Sequence, residues 1–214
     1  MALSQRAIYL LSPTVREGTL SLPMIHFKTV ADTIDFSSCD TLMFTSKQAV
    51  VTADMIDKRW KRYPCMAIGE ATKQQIEMLG GEVLYRPKSF YGKTLSQEIA
   101  THFASRKILY LRPKEVSFDS KGFLEKEGIV LEEQIIYETG CLEYQAEQKP
   151  IKNAIIIFTS PSTIHCFLKN FEWDKSYTAV VIGDATKVHL PEGANYEVAE
   201  EARIASCIEK AKSL

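Results

Sequence analysis

No stretch of this chain is apolar for long enough to cross a membrane; the longest runs, such as Ala154 to Phe158, have the length of a strand. An excess of either charge is missing too. The 26 basic side chains are matched by 27 acidic ones, which removes the broad electrostatic grip of a nucleic-acid or membrane-surface protein. A small anion held by a few local donors remains compatible with that balance. Met1 to Gln5 has no basic start leading into an apolar run, so no signal peptide is expected. There is no Cys-x-x-Cys pair. Cysteines stand apart at 39, 65, 141, 166 and 207, an odd and scattered set that reads as reduced thiols packed as small apolar residues in a cytoplasmic protein. Low-complexity segments are absent as well.

What is present is a pattern of alternation. At 214 residues and 45% hydrophobic content, the chain can bury the cores of one to two domains. Short β-rich runs (Ala7–Leu11, Met24–Val30, Thr41–Thr45, Cys65–Ile68, Val83–Tyr85, Ile108–Leu111, Ile135–Tyr137, Ala154–Thr159, Thr178–Ile182, Tyr196–Ala199) punctuate it. Between them, 47–60, 71–79, 93–104, 118–126, 161–170 and 201–211 carry apolar residues at helical spacing. Strands alternating with helices predict parallel sheets covered on both faces. Gly80-Gly81 and Gly128 follow helices where positive φ is wanted. Pro87, Pro113 and Pro161 follow strand ends, where they break no ladder.

An internal repeat is the most informative feature. Phe44-Thr45-Ser46 recurs as Phe158-Thr159-Ser160, and Ile68-Gly69-x-Ala71-Thr72-Lys73 recurs as Ile182-Gly183-x-Ala185-Thr186-Lys187. Both pairs are 114 residues apart, as are Tyr63 and Tyr177. The plain reading is that both halves need one strand-to-helix turn; the stronger one is two domains of one fold.

In an open parallel sheet, ligands bind outside the carboxyl ends of the strands, where helix N-termini direct free N–H groups. Thr45-Ser46 and Thr159-Ser160 fall at such junctions, with hydroxyls suited to the N-cap and Pro161 next in the second copy. Gly69 and Gly183 let a ligand approach the backbone, and Thr72 and Thr186 follow in the first helical turn. If the domains face one another, four such loops line a cleft suited to a polycarboxylate. Taken singly, each hydroxyl reads as a plain helix cap; only its duplication points to a ligand. Neither copy has the Gly-x-Gly-x-x-Gly of a dinucleotide loop or the Gly-Lys-Thr of a P-loop.

Lys47, Lys73, Arg86, Lys88, Arg112 and Lys114 lie near strand ends of the middle segment, where at most two are expected to meet carboxylates. His26, His102, His165 and His189 lack metal-ligand spacing or a paired nucleophile and read as surface or packed residues. Glu132-Glu133 and Glu200-Glu201 are adjacent, face different ways, and make no acid/base pair.

The Phe-Thr-Ser strand ends, the Ile-Gly-x-Ala-Thr turns, the run Phe158-Thr159-Ser160-Pro161-Ser162, Leu109-Tyr110-Leu111-Arg112 and Ile136-Tyr137-Glu138-Thr139 occur in this order along nearly the whole chain. Together they resemble the uroporphyrinogen-III synthase family. That resemblance implies an α/β fold of two similar doubly wound parallel-sheet domains, flavodoxin/Rossmann-like, joined by a two-stranded hinge. One domain would be discontinuous, 1–30 plus 143–214, with 36–134 inserted and 27–35 and 135–142 as hinge strands. The implied substrate is hydroxymethylbilane, an open tetrapyrrole with eight carboxylates. The family removes its terminal hydroxyl as water; the last pyrrole then attacks at its substituted carbon, and a spiro intermediate fragments and recloses with that ring reversed. No cofactor or metal is implied.

The resemblance makes Tyr137 the acid candidate, since a neutral phenol can donate to the departing hydroxyl; a hinge aromatic packed between domains is the alternative. Substrate contacts are expected from Thr45, Ser46, Gly69, Thr72, Arg112, Thr159, Ser160, Ser162, Gly183 and Thr186. No spare amphipathic face asks for a partner, so a monomer is expected. The chain departs from the family at Leu11-Ser12-Pro13, where Arg-Pro and a full helix are usual, and at Pro191-Glu192-Gly193, which trims a later helix. That thinning sustains a rival reading, a non-catalytic clamp for an anionic metabolite or tetrapyrrole. A third is an unrelated flavodoxin-like pair whose repeat is architectural.

Overall fold

The computed structural model describes residues 6–89 and 91–214. Met1–Gln5, on which the signal-peptide reading rests, lie outside the described residues. In chain order the elements are β1 (Ile8–Leu10), β2 (Leu20–Ser21), β3 (Ile25–Thr29), β4 (Thr41–Phe44), α1 (Lys47–Ile56), β5 (Pro64–Ala67), α2 (Glu70–Met78), β6 (Glu82–Tyr85) and α3 (Gly92–His102). There follow β7 (Ile108–Pro113), α4 (Ser120–Lys126), β8 (Leu131–Cys141), β9 (Ile155–Phe158), α5 (Pro161–Asn170), β10 (Thr178–Val181), α6 (Asp184–Lys187), β11 (Asn195–Val198) and α7 (Ile204–Lys212). Among the described residues no helix is long and apolar enough to cross a membrane.

The chain divides into two compact units, Phe27–Thr139 and Met1–His26 with Gly140–Leu214. In the first, the sheet runs β3-β8-β7-β4-β5-β6, and β4, β5, β6, β7 and β8 pair in parallel. Alternation along the strands sends side chains to opposite faces. Leu42 and Phe44 of β4 and Leu109 and Leu111 of β7 pack with α1 residues Ala49, Val50 and Ala53 and with Trp60. Met43, Ile108 and Tyr110 pack on the other face with Leu95 and Ile99 of α3 and Leu124 of α4.

In the second unit the order is β11-β10-β9-β1-β2, again with parallel pairs. Ile156 and Phe158 face α5 through Ile164 and Phe167, while Ile155, Ile157, Leu10 and Val180 face α7 through Cys207 and Ala211. The repeat is therefore structural. β9 corresponds to β4, β10 to β5 and β1 to β7, since Met43 pairs with Tyr110 and Ile157, 114 residues after Met43, pairs with Leu10.

No helix lies between β1 and β2: residues 11–19 are a turn-rich loop in which the buried Ser12 hydroxyl accepts from Thr14 N–H at 3.2 Å. The two-residue β2 has both side chains exposed, so no apolar pattern marked it in the sequence. Pro113 closes β7 instead of following it.

One expectation is overturned. Cys141 and Cys166 form a disulfide across 25 residues, with Cα atoms 5.2 Å apart, whereas Cys39, Cys65 and Cys207 are free. Sequence spacing misled because the pairing depends on where α5 packs. Asn170 of α5 grips the same segment, donating to Leu142 O at 2.8 Å and accepting from Tyr144 N–H at 2.8 Å. That brings Cys166, one turn earlier on the helix, beside Cys141.

Candidate active site

Each unit builds the same pair of loops at the carboxyl ends of adjacent strands. Ser46 has extended backbone and caps α1, its Oγ accepting from Ala49 N–H at 3.0 Å. Ser160 caps α5, its Oγ accepting from Thr163 N–H at 3.4 Å, with Pro161 in the first turn. Ile68 N–H donates to Phe44 O at 3.0 Å, and Ile182 N–H donates to Phe158 O at 3.0 Å, so the two loops of each unit lie side by side.

The glycine turns match as closely. Thr72 N–H and Lys73 N–H close on Gly69 O at 3.1 and 3.0 Å; Thr186 N–H and Lys187 N–H close on Gly183 O at 3.0 and 3.1 Å. Both glycines are N-caps without a side chain, which leaves the first N–H groups of α2 without side-chain competition. With Asp184–Lys187 only four residues long, the second copy keeps the turn and loses most of the helix.

In the unit spanning 27–139, the Thr45-Ser46 loop is held by two tyrosines. Tyr137 Oη lies 2.9 Å from Ser46 Oγ and Tyr110 Oη lies 2.6 Å from Thr45 Oγ1. Both rings are buried, at 4% and 2% exposure. Phe27 meets the Tyr137 ring edge-on at 5.8 Å. Burial pushes the Tyr137 phenol up from its ordinary value, partly offset by the Ser46 hydrogen bond. Burial pushes Tyr110 up to about 12, against the opposing effects of the Thr45 bond and the nearby Arg112 charge. Desolvation disfavours phenolate, so both stay neutral hydrogen-bonding groups at neutral pH.

Arg112, at the end of β7, is largely committed within the unit. Its Nη1 donates to Pro113 O at 2.9 Å and Lys114 O at 3.0 Å. Its buried Nε lies 3.2 Å from Glu133 Oε2 as an ion pair, without the alignment of a hydrogen bond. The other cations divide similarly. Lys73 pairs with Glu77, Arg86 with Glu70 and Lys114 with Glu138, while Lys47 and Lys88 are exposed.

Thr45, Ser46 and Tyr137 are thus brought together, with Gly69 at the neighbouring turn and Thr72, buried, in the first turn of α2. Thr159, Ser160, Ser162, Gly183 and Thr186 form the corresponding set of the other unit. Sequence reasoning left Tyr110 and Glu133 without a role. Tyr110 was readable only as a polar group among apolar neighbours near a strand end.

The chain matches the family model described as "Uroporphyrinogen-III synthase HemD" over residues 17–209. No curated protein matches it significantly. Among solved structures it is similar to the uroporphyrinogen-III synthetase of Helicobacter pylori, with 26% identity and a TM-score of 0.82 over 97% of this chain and 99% of that one. It is also similar in fold to a mutant uroporphyrinogen III synthase from the extremely thermophilic bacterium Thermus thermophilus, at 12% identity and a TM-score of 0.60, covering 97% and 98% of the two chains.

Proposed function

The chain belongs to the uroporphyrinogen-III synthase HemD family, cyclising lyases of tetrapyrrole biosynthesis, and on that premise we propose that its duplicated loops hold hydroxymethylbilane during dehydration and closure. The observation that carries this assignment is the repeated geometry of Thr45-Ser46 with Gly69-Thr72 and of Thr159-Ser160 with Gly183-Thr186. Hydroxyls and helix N-terminal N–H groups suit carboxylates without needing a surplus of positive charge. Ser162 joins the second set, and Arg112 offers Nη2, its other nitrogens being engaged.

Tyr137 is assigned to the departing hydroxyl. Leaving that hydroxyl as water requires a proton or a strong hydrogen bond at its oxygen. A desolvated phenol keeps its proton tightly, so Tyr137 acts chiefly by polarising the C–O bond as a donor. Ser46 fixes its direction. The substrate loses water readily, so orientation of the chain before the last ring attacks contributes more than acidity. Residues 27–35 and 135–142, where the chain passes from one unit to the other, are assigned as hinge strands. We further place the protein in the cytoplasm, as a monomer.

The test supplies hydroxymethylbilane to the purified protein, oxidises the products and resolves the porphyrin isomers. Type III product is expected. Type I alone, as in the enzyme-free control, overturns the reading, and tight binding without type III formation leaves a non-catalytic clamp. Tyr137→Phe is expected to reduce type III formation by less than the roughly 100-fold that a positioned acid commonly contributes; unchanged turnover removes Tyr137 from the chemistry.

A further inference from the structure

We propose that Tyr110 is a positioning residue for the synthase reaction, accepting no proton itself but donating to Thr45 Oγ1 and so turning the threonine proton toward the substrate. The inference rests on the assignment of Thr45 as a substrate contact. Its geometry is independent of that assignment. The phenol is 2% exposed, and its oxygen lies 2.6 Å from Thr45 Oγ1. Either oxygen could donate in that pair, and the surroundings decide between them. A buried phenol O–H needs an acceptor, and Thr45 Oγ1 supplies it. The Thr45 hydroxyl, half-buried at the loop, can then send its own proton elsewhere. Because threonine is stiff about χ1, a bond that fixes Oγ1 also fixes the direction in which that hydroxyl is offered.

The fold carries its own comparison. Tyr110 pairs with Met43 on β4, and the register-equivalent residue in the other unit is Leu10, which pairs with Ile157 on β9. Leu10 is fully buried, so an aliphatic side chain satisfies the packing at this position in the same sheet architecture. Leu10 can form no bond to the Thr159 hydroxyl. The tyrosine adds a hydroxyl that packing does not demand, and that hydroxyl meets one of the two residues of the Thr-Ser loop. The opposite face of the sheet contributes Tyr137 to the other, Ser46. The loop of this unit is thereby fixed from both sides, which assigns the finer control of the substrate to it.

The experiment compares wild type, Tyr110→Phe, Tyr110→Leu, Thr45→Val, Thr45→Ser and the Tyr110→Phe/Thr45→Val double variant by kcat and KM for type III formation. Far-UV circular dichroism and urea midpoints establish that each variant is folded. Tyr110→Phe and Thr45→Val are each expected to raise KM about tenfold, the scale of one hydrogen bond to a charged group, with kcat within about twofold. The double variant is expected to be no worse than Thr45→Val alone, because the phenol acts through the threonine. Thr45→Ser keeps the acceptor and is expected to hold KM near wild type. Tyr110→Leu, the residue type the other unit uses, supplies the same reading should Tyr110→Phe fail to fold. A KM unchanged in Thr45→Val overturns the substrate-contact assignment itself. A raised KM in Thr45→Val with wild-type KM in both Tyr110 variants overturns the present inference alone, as does an additive double variant.

Discussion

Ser46 Oγ stands between two groups, accepting the Ala49 N–H of α1 at 3.0 Å and lying 2.9 Å from Tyr137 Oη. One hydroxyl therefore serves the start of a helix and the direction of the acid candidate. Ser46→Ala removes both bonds, whereas Tyr137→Phe removes only the second. Loss of an N-cap serine costs about 1 kcal/mol, and leaving the buried Tyr137 hydroxyl without its Ser46 partner adds about 1 kcal/mol or more. We expect Ser46→Ala to lose roughly 2 kcal/mol in urea unfolding and Tyr137→Phe to lose less. Equal losses would show that the cap carries no weight.

The buried phenol of Tyr110 also links stability to alkaline pH. Its folded pKa, pushed up to about 12, exceeds the ordinary value of 10.0. The neutral phenol therefore stabilises the fold fully below about pH 10, and that contribution disappears as pH rises toward 12. Between those limits the unfolded chain releases a proton that the folded one retains, so each pH unit costs about 1.4 kcal/mol. Urea titrations at about pH 10 and about pH 11 should show a larger loss for wild type than for Tyr110→Phe, by about 1 kcal/mol, since the unfolded phenol is only half ionised at the lower pH. Parallel losses in the two proteins would contradict a desolvated Tyr110.

Much of this architecture is legible in the chain because local and long-range signals coincide. Ser46 and Ser160 precede helical runs, and their 114-residue spacing repeats at Gly69 and Gly183, so the loops and their duplication follow from the sequence. Less legible is what depends on side-chain direction at a distance. Tyr110 stands inside the apolar-looking run Ile108–Leu111, and its hydroxyl acquires meaning only when β4 brings Thr45 beside it. Arg112 advertised a free cation, yet Glu133 on β8 lies against it once β7 and β8 pair. Cys141 and Cys166 carry no spacing signature, and Leu20–Ser21 is a strand only because β1 offers an edge.

The disulfide makes a countable prediction. With Cys141 and Cys166 joined and three cysteines free, the denatured, unreduced protein should react with three equivalents of thiol reagent, and with five after reduction. Closing a loop of 25 residues stabilises a fold by about 3 kcal/mol in the chain-entropy account. Reduced protein, or Cys166→Ser, should accordingly unfold at lower urea. In a reducing compartment the pair is expected as two thiols, and protein isolated with thiols trapped at lysis should then report five. Five equivalents before reduction, in protein purified without reductant, would refute the bridge.

Gly80 and Gly81 look alike in the sequence and differ in what they demand. Gly80 has φ +88° with open space around a would-be Cβ, so alanine there meets backbone strain of about 1 kcal/mol. Gly81 needs no unusual φ; a Cβ there would run into the Trp60 ring and come within 2.9 Å of Ile76 Cγ2. Trp60 cannot retreat easily. It is fully buried, its ring meets Phe44 edge-on at 5.7 Å, and its indole N–H donates to Asp54 Oδ1 at 3.1 Å. Overpacking of this kind costs about 1–3 kcal/mol, so Gly81→Ala should lower the urea midpoint more than Gly80→Ala. It should also alter tryptophan emission, because the substituted methyl displaces an indole, whereas Gly80→Ala should leave the spectrum unchanged. The same emission spectrum in both variants, or a larger loss at Gly80, would mean that the close approach of Gly81 to Trp60 does not constrain the fold.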